Sequence, residues 1–270
     1  EPGNHIGGMV SGGLGRTDYG KKEVIGRYSL EFFERPGPHY GEPVSWFFEP
    51  HVAERVFRAL LDEAKVPVLF KHRLREKSGV RKKGSTLTEI RMQNGASFSA
   101  RIFADCTYEG DLMAQAKVSY TVGREGVSQY GESLAGVRPQ DRNHVFEVKV
   151  SAYDEKGKLL PEVSGAPPGE IGAADKKVQA YNFRMCFSKD KKNQVPFAKP
   201  ANYNPQRFAL VARLFKGLVE RDQQGPRLNE IMIVSPMPNN KTDINNRGAF
   251  STDYIGRNWD YPKASYKRRA

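Results

Sequence analysis

A chain of 270 residues, 38% hydrophobic and 27% charged, with 26 glycines and 17 prolines, can form one large domain or two ordinary ones with many turns; wholesale disorder is excluded. The net charge of +12 raises nucleic-acid binding, but Lys and Arg are scattered, with short runs only at 71–83, 189–192 and 267–269 and no recognition-helix pattern. The reading is a solvated basic surface that suits an acidic substrate or a dinucleotide, on a chain expected to be soluble, cytoplasmic or exported, because no apolar run approaches membrane-spanning length. Cys106 and Cys186 stand too far apart for a redox or zinc pair, which disfavours a dithiol reductase.

In chain order, residues 1–20 hold seven glycines and little apolar periodicity, so a loop is expected whose backbone lies against something. Pro50 suits a first helical turn, and Val52, Val56, Phe57, Leu60, Leu61 and Ala64 recur at helical spacing, which predicts a helix. Short strands follow, the first over residues 66–74, with turns at Lys83 and Gly84 and at Asn94 and Gly95, giving an antiparallel meander. Ile102, Phe103, Ala104, Asp105 and Cys106 read as a buried strand, and Thr107, Tyr108, Glu109 and Gly110 as the turn into a short helix from Asp111.

Beyond Gly126 the strands alternate: Phe146, Val148, Val150 and Ala152 share one face of the first. On the second, Tyr181, Phe183, Met185 and Phe187 are expected to face the core, leaving Asn182, Arg184 and Cys186 opposite. Asn204 and Pro205 start a helix whose buried stripe reads as Phe208, Val211, Ala212, Phe215, Leu218 and Val219; residues 228–235 read as a strand.

Two constellations carry chemistry. Glu1 precedes His5, Ile6, Gly7, Gly8, Met9, Val10, Ser11, Gly12 and Gly13, where paired glycines let main-chain amides approach a phosphate or a ring system and Ser11 adds a hydroxyl; a surface loop has the same composition. After Cys106, Thr107 and Gly110 allow close approach, and Asp111 either holds a ribose or ribityl hydroxyl or caps a helix. The polar stretch from Asn239 to Arg247 reads as a solvated turn. His5, His39, His51, His72 and His144 show no metal-ligand spacing, so no metal is expected, and Ser and His fall into no hydrolase motif.

Together, residues 5–18, 103–116 and 239–261 resemble the FAD-dependent oxidoreductases of the glutathione-reductase-like flavoprotein fold, in particular the bacterial branch often labelled xanthan lyase. The resemblance implies an α/β fold: an incomplete FAD/NAD(P)-binding Rossmann-like domain with an antiparallel β-meander over 1–125, and an α+β substrate domain over 126–270. The family's opening strand with its Gly-x-Gly-x-x-Gly turn, and its closing segment, are expected to lie outside this chain, making it a fragment. The implied cofactor is FAD, with Glu1 on the adenosine ribose, Gly7, Gly8, Met9, Ser11, Gly12 and Gly13 along the pyrophosphate and flavin, and Thr107, Gly110 and Asp111 close by.

On the substrate side the resemblance implies Asn182, Arg184, Asn240, Lys241 and Asp243, with Arg184 and Lys241 as catalytic candidates forming a cationic site for an anionic or hydroxylated molecule. The reaction implied is oxidation of a small organic substrate, sugar-related molecules among the candidates, with electrons passed to a separate acceptor and no nucleic-acid or membrane partner. The competing readings are a non-catalytic or truncated binding module and a polysaccharide lyase, though no local motif proposes a lyase's base.

Overall fold

The helices α1 (Gly8–Ser11), α2 (Arg27–Glu34) and α3 (Pro50–Glu63) open the chain. Helix α3 forms where the apolar spacing predicts it: Pro50 sets the first turn without needing a donor, and Val52, Ala53 and Val56 are buried. The aromatic residues lock α2 to α3, with Phe32 stacked on Phe57 at 4.7 Å between ring centroids and edge-on to the fully buried Phe48 at 5.5 Å.

Three strands follow as the expected antiparallel meander, β1 (Val80–Lys83), β2 (Thr86–Arg91) and β3 (Ser97–Phe98), turning at Gly84 and Gly95, both at positive φ. Helix α4 (Asp111–Gln115) starts after Gly110, and α5 (Val127–Tyr130) follows. The structure describes residues 1–139, 144–225, 227–250 and 252–270 of this computed structural model.

Two expected strands are not strands. Residues 66–74 are interrupted by Lys71 at φ 60 and are held irregularly, the Glu1 amino group donating to Leu69 O at 3.1 Å and His72 N–H to Glu1 O at 3.0 Å. Residues 102–106 have no regular secondary structure, neither sheet includes them, and Ile102 is 85% exposed. An apolar run is buried in a sheet only when neighbouring strands flank it.

The second sheet has the order β4-β6-β5, all antiparallel: β4 (Met185–Ser188), β5 (Met232–Met237) and β6 (Lys241–Asn246). Between β4 and β5 lies α6 (Ala209–Asp222), and a last turn α7 (Tyr266–Arg269) ends the chain. Asn204 does cap the entry to α6, its side chain accepting from Gln206 N–H at 3.0 Å, but through a preceding 3-10 turn. The buried stripe is centred on Leu214 and Leu218, while Phe208 is 49% exposed.

Residues 146–152 form no strand and lie against α6: Arg213 donates to Ser151 O and Tyr153 O at 2.6 and 2.7 Å, and Arg221 pairs with Glu147 at 3.0 Å. The largest correction is at 241–246, read from sequence as part of a solvated turn. Asn239 and Asn240 sit at φ 57 and 58, making a tight hairpin turn, and the residues after them become the central strand of the sheet, with Thr242, Asp243 and Ile244 buried.

The chain divides into two units, Glu1–Val122 with Trp259–Ala270, and Gly123–Asn258. Within the first unit, Tyr266 N–H donates to Glu76 at 2.7 Å and Arg269 closes on Asp111.

Candidate cofactor cleft

In the first unit the glycine tract and the bend after Cys106 meet. An open cleft of about 860 Å³ is lined by Glu1, His5, Gly7, Gly8, Ser11 and Gly12 on one side and by Cys106, Thr107, Tyr108 and Glu109 on the other, with Pro50, His51, Glu54 and Phe57 of the α3 end as its floor.

The convergence follows from the glycines. Gly7 stands at φ 99 flat against the Phe57 ring, where an added Cβ would lie 2.5 Å from a ring carbon. Gly8, at φ 55, has the Tyr108 hydroxyl where its Cβ would be. That hydroxyl accepts from Met9 N–H at 2.9 Å, a direct link between segments 99 residues apart. Only residues without a side chain let the backbone lie this close to two rings.

The cleft walls are pinned by charge. His5 Nδ1 lies 2.8 Å from Glu54 Oε2, and Arg58 reaches the same carboxylate at 2.6 Å one helical turn away, so His5 first and Arg58 second hold Glu54 below the usual carboxylate range. On the other wall Asp105 organises the bend: Oδ1 accepts from Thr107 N–H at 3.0 Å and its hydroxyl at 2.6 Å, and Oδ2 from Met113 N–H at 3.0 Å. Burial pushes this carboxyl up, but the hydrogen bonds, led by the Thr107 hydroxyl, outweigh it and leave the net shift downward.

Six residues expected at a cofactor, Glu1, Gly7, Gly8, Ser11, Gly12 and Thr107, line this one cleft. The others do not. Met9 turns outward, 56% exposed, Gly13 is buried behind the wall, and Gly110 is the left-handed residue ahead of α4. Asp111 lines a smaller neighbouring cavity of about 230 Å³, where Arg269 binds both its oxygens at 2.7 and 3.0 Å. The Asp111 carboxylate keeps Arg269 firmly charged. Tyr108, Phe57, Glu54 and Arg269 carry no site signal in the sequence beyond the helical spacing that places Phe57 on α3 and the turn that holds Tyr108.

In the second unit, register puts Cys186, Lys241 and Asp243 on one face of the sheet, and Arg184, just ahead of β4, reaches Asp243. Arg184 Nη1 pairs with Asp243 Oδ1 at 3.0 Å, and Asp243 is 2% exposed, while Arg184 Nε is buried without a hydrogen-bond partner among the described residues. Burial, and secondarily Asp243, pushes the Cys186 thiol up. The Asn182 amide is taken by Asp253 and by Thr252 Oγ1 at 3.1 Å, and Asn240 is exposed in the hairpin turn. Phe183, expected in the core, is 66% exposed.

A glycine-lined cleft with hydroxyl and carboxylate side chains at its rim is what a nucleotide-cofactor enzyme presents. Residues 1–270 match the FAD dependent oxidoreductase family throughout, and the chain belongs to that family, whose cofactor is FAD. No curated protein and no solved structure matches the chain.

The residues present fit part of this cofactor. The Glu1, Ser11 and Thr107 side-chain oxygens along the cleft suit the sugar-hydroxyl portions, whereas the space that a Cβ at Gly7 or Gly8 would fill is taken by the Phe57 ring and the Tyr108 hydroxyl. Among the described lining residues there is no Lys or Arg, and Glu1, Glu54 and Glu109 line the same space, so main-chain amides rather than side-chain cations would meet phosphate oxygens here. No helix among the described residues is long and apolar enough to cross a membrane.

Proposed function

We propose that the first unit is the Rossmann-like part of a flavin oxidoreductase that holds FAD in the glycine-lined cleft, and that the polar sheet face of the second unit receives a small, oxygen-rich organic substrate. FAD, when bound, supplies a two-electron acceptor. Glu1 would hold ribose hydroxyls, the backbone at Gly7, Gly8 and Gly12 would lie along the cofactor, and Thr107 would add a hydroxyl on the opposite wall. Arg184 and Lys241 would orient the substrate, with the buried Asp243 holding the Arg184 guanidinium in place. An anionic or hydroxylated substrate, such as a sugar derivative, suits that donor set.

The observation that carries the cofactor half of this reading is the meeting of Gly7 and Gly8 with Tyr108 in one cleft. The test is titration of the chain with FAD, followed by flavin fluorescence and by retention of yellow colour after desalting. Binding is expected in the wild type, with a loss of tenfold or more in Gly8→Val. Equal affinity in Gly8→Val would remove the cleft from the assignment, and a colourless chain at saturating FAD would favour a binding module without flavin.

A further inference from the structure

Away from the glycine tract, three residues spread over thirteen positions come together: His39, Glu49 and His51, each with a ligand atom within 4.8 Å of the other two. We propose that they form a site for a divalent first-row transition ion of the zinc class.

The backbone that presents them is fixed. His39 lies on a 3-10 turn, Gly37–Tyr40, closed by His39 N–H to Pro36 O at 3.1 Å and Glu42 N–H to Gly37 O at 3.0 Å. Gly37 is buried, and a side chain there would overlap the Glu42 carbonyl oxygen and lie 2.7 Å from that of Pro43, so the turn has little room to move. Glu49 and His51 flank Pro50 at the start of α3, directly after Phe48, which is fully buried.

The donors are chemically suited. Two imidazole nitrogens and one carboxylate form an N₂O set, which zinc and its neighbours accept and which calcium and magnesium, preferring oxygen alone, do not. Donor atoms about 2.0–2.2 Å from zinc stand roughly 3.3 Å from one another in a tetrahedron, so the present separation closes by rotation of the two exposed imidazoles. Glu49 is 4% exposed, so its carboxylate is held in a fixed setting beside the two imidazoles. Its Oε2 lies 3.3 Å from the Tyr40 hydroxyl, which in turn accepts from Glu49 N–H at 2.8 Å, the kind of outer partner that orients a ligating carboxylate. Three protein ligands leave a further position for water, and His51 also lines the glycine cleft.

The experiment titrates the tag-free, chelator-treated chain with Co²⁺, read by its visible d–d bands, and then with Zn²⁺ as competitor. Saturation at one ion per chain, displacement by zinc and a rise in Tm with zinc are expected. His39→Ala and His51→Ala each weaken cobalt binding at least tenfold, Tyr40→Phe weakens it about tenfold, and His144→Ala leaves it unchanged. Glu49 is buried and its substitution risks unfolding, so the exposed His39 carries the decision. No cobalt bands in the wild type, or bands of undiminished affinity in His39→Ala with native far-UV circular dichroism, would overturn the site.

Discussion

The convergence of the glycine tract on Tyr108 can be measured as an interaction energy. In Gly8→Ala, the left-handed backbone at φ 55 costs about 1–2 kcal/mol for a residue with a Cβ. The new methyl also occupies the position of the Tyr108 hydroxyl, so the ring must swing away and give up its bond from Met9 N–H, worth about 1 kcal/mol. The single change is therefore expected to destabilise by about 2–3 kcal/mol, as the sum of those two effects. Tyr108→Phe alone loses only the bond, about 1 kcal/mol or somewhat less because the side chain is 64% exposed.

In the Tyr108→Phe background the obstructing oxygen is gone and the nearest ring atom, Cζ, is 3.3 Å away, so Gly8→Ala there costs only its backbone share. The double variant should be more stable than additivity predicts, by about 1 kcal/mol. Urea denaturation of the four proteins, with FAD affinity measured in parallel, reads this out. Additivity within about 0.3–0.5 kcal/mol would mean that Gly8 and Tyr108 do not share the space assigned to them, and the cleft as described would be wrong.

Asp105→Asn should destabilise by about 1–2 kcal/mol near pH 6, since it weakens charge-assisted bonds to Thr107 and Met113. Because the folded carboxyl titrates below its unfolded value of about 3.9, its contribution is present above that pH and fades as pH falls through the folded value; a stability gap between wild type and Asp105→Asn that stays constant from about pH 6 to about pH 3 refutes this. Arg184→Met strips the 2%-exposed Asp243 of its cation and should cost about 2–4 kcal/mol, much of it recovered by adding Asp243→Asn; no recovery in the double variant would show that the pair is not coupled.

Regular features were legible in the sequence where one local rule sufficed. Pro50 with its apolar spacing gave α3, and Gly84 and Gly95 gave the meander's turns. Where the outcome depends on what lies alongside, sequence patterns misled. The apolar run at 102–106 is the pattern of an inner strand, yet no described strand flanks it; the alternation at 146–152 is the pattern of a strand, yet Arg213 and Arg221 of α6 hold it instead. The polar segment after Asn240 is a buried central strand because Asn239 and Asn240 adopt positive φ, a hairpin signal as informative as Asn94 and Gly95 but hidden by the polar residues that follow.

The same distinction separates the two halves of the site. Glycine spacing announces a close backbone approach without saying to what, and Phe57 and Tyr108 supply the answer only once α3 and the bend after Cys106 are folded. Asp111 shows the converse: its place after a glycine turn marks it for a hydroxyl-bearing ligand, but Arg269, 158 residues away, takes both its oxygens. Of the two acidic residues the resemblance assigns to the cofactor, Asp111 is therefore held by a 10%-exposed guanidinium away from the glycine cleft, while Glu1 lines it.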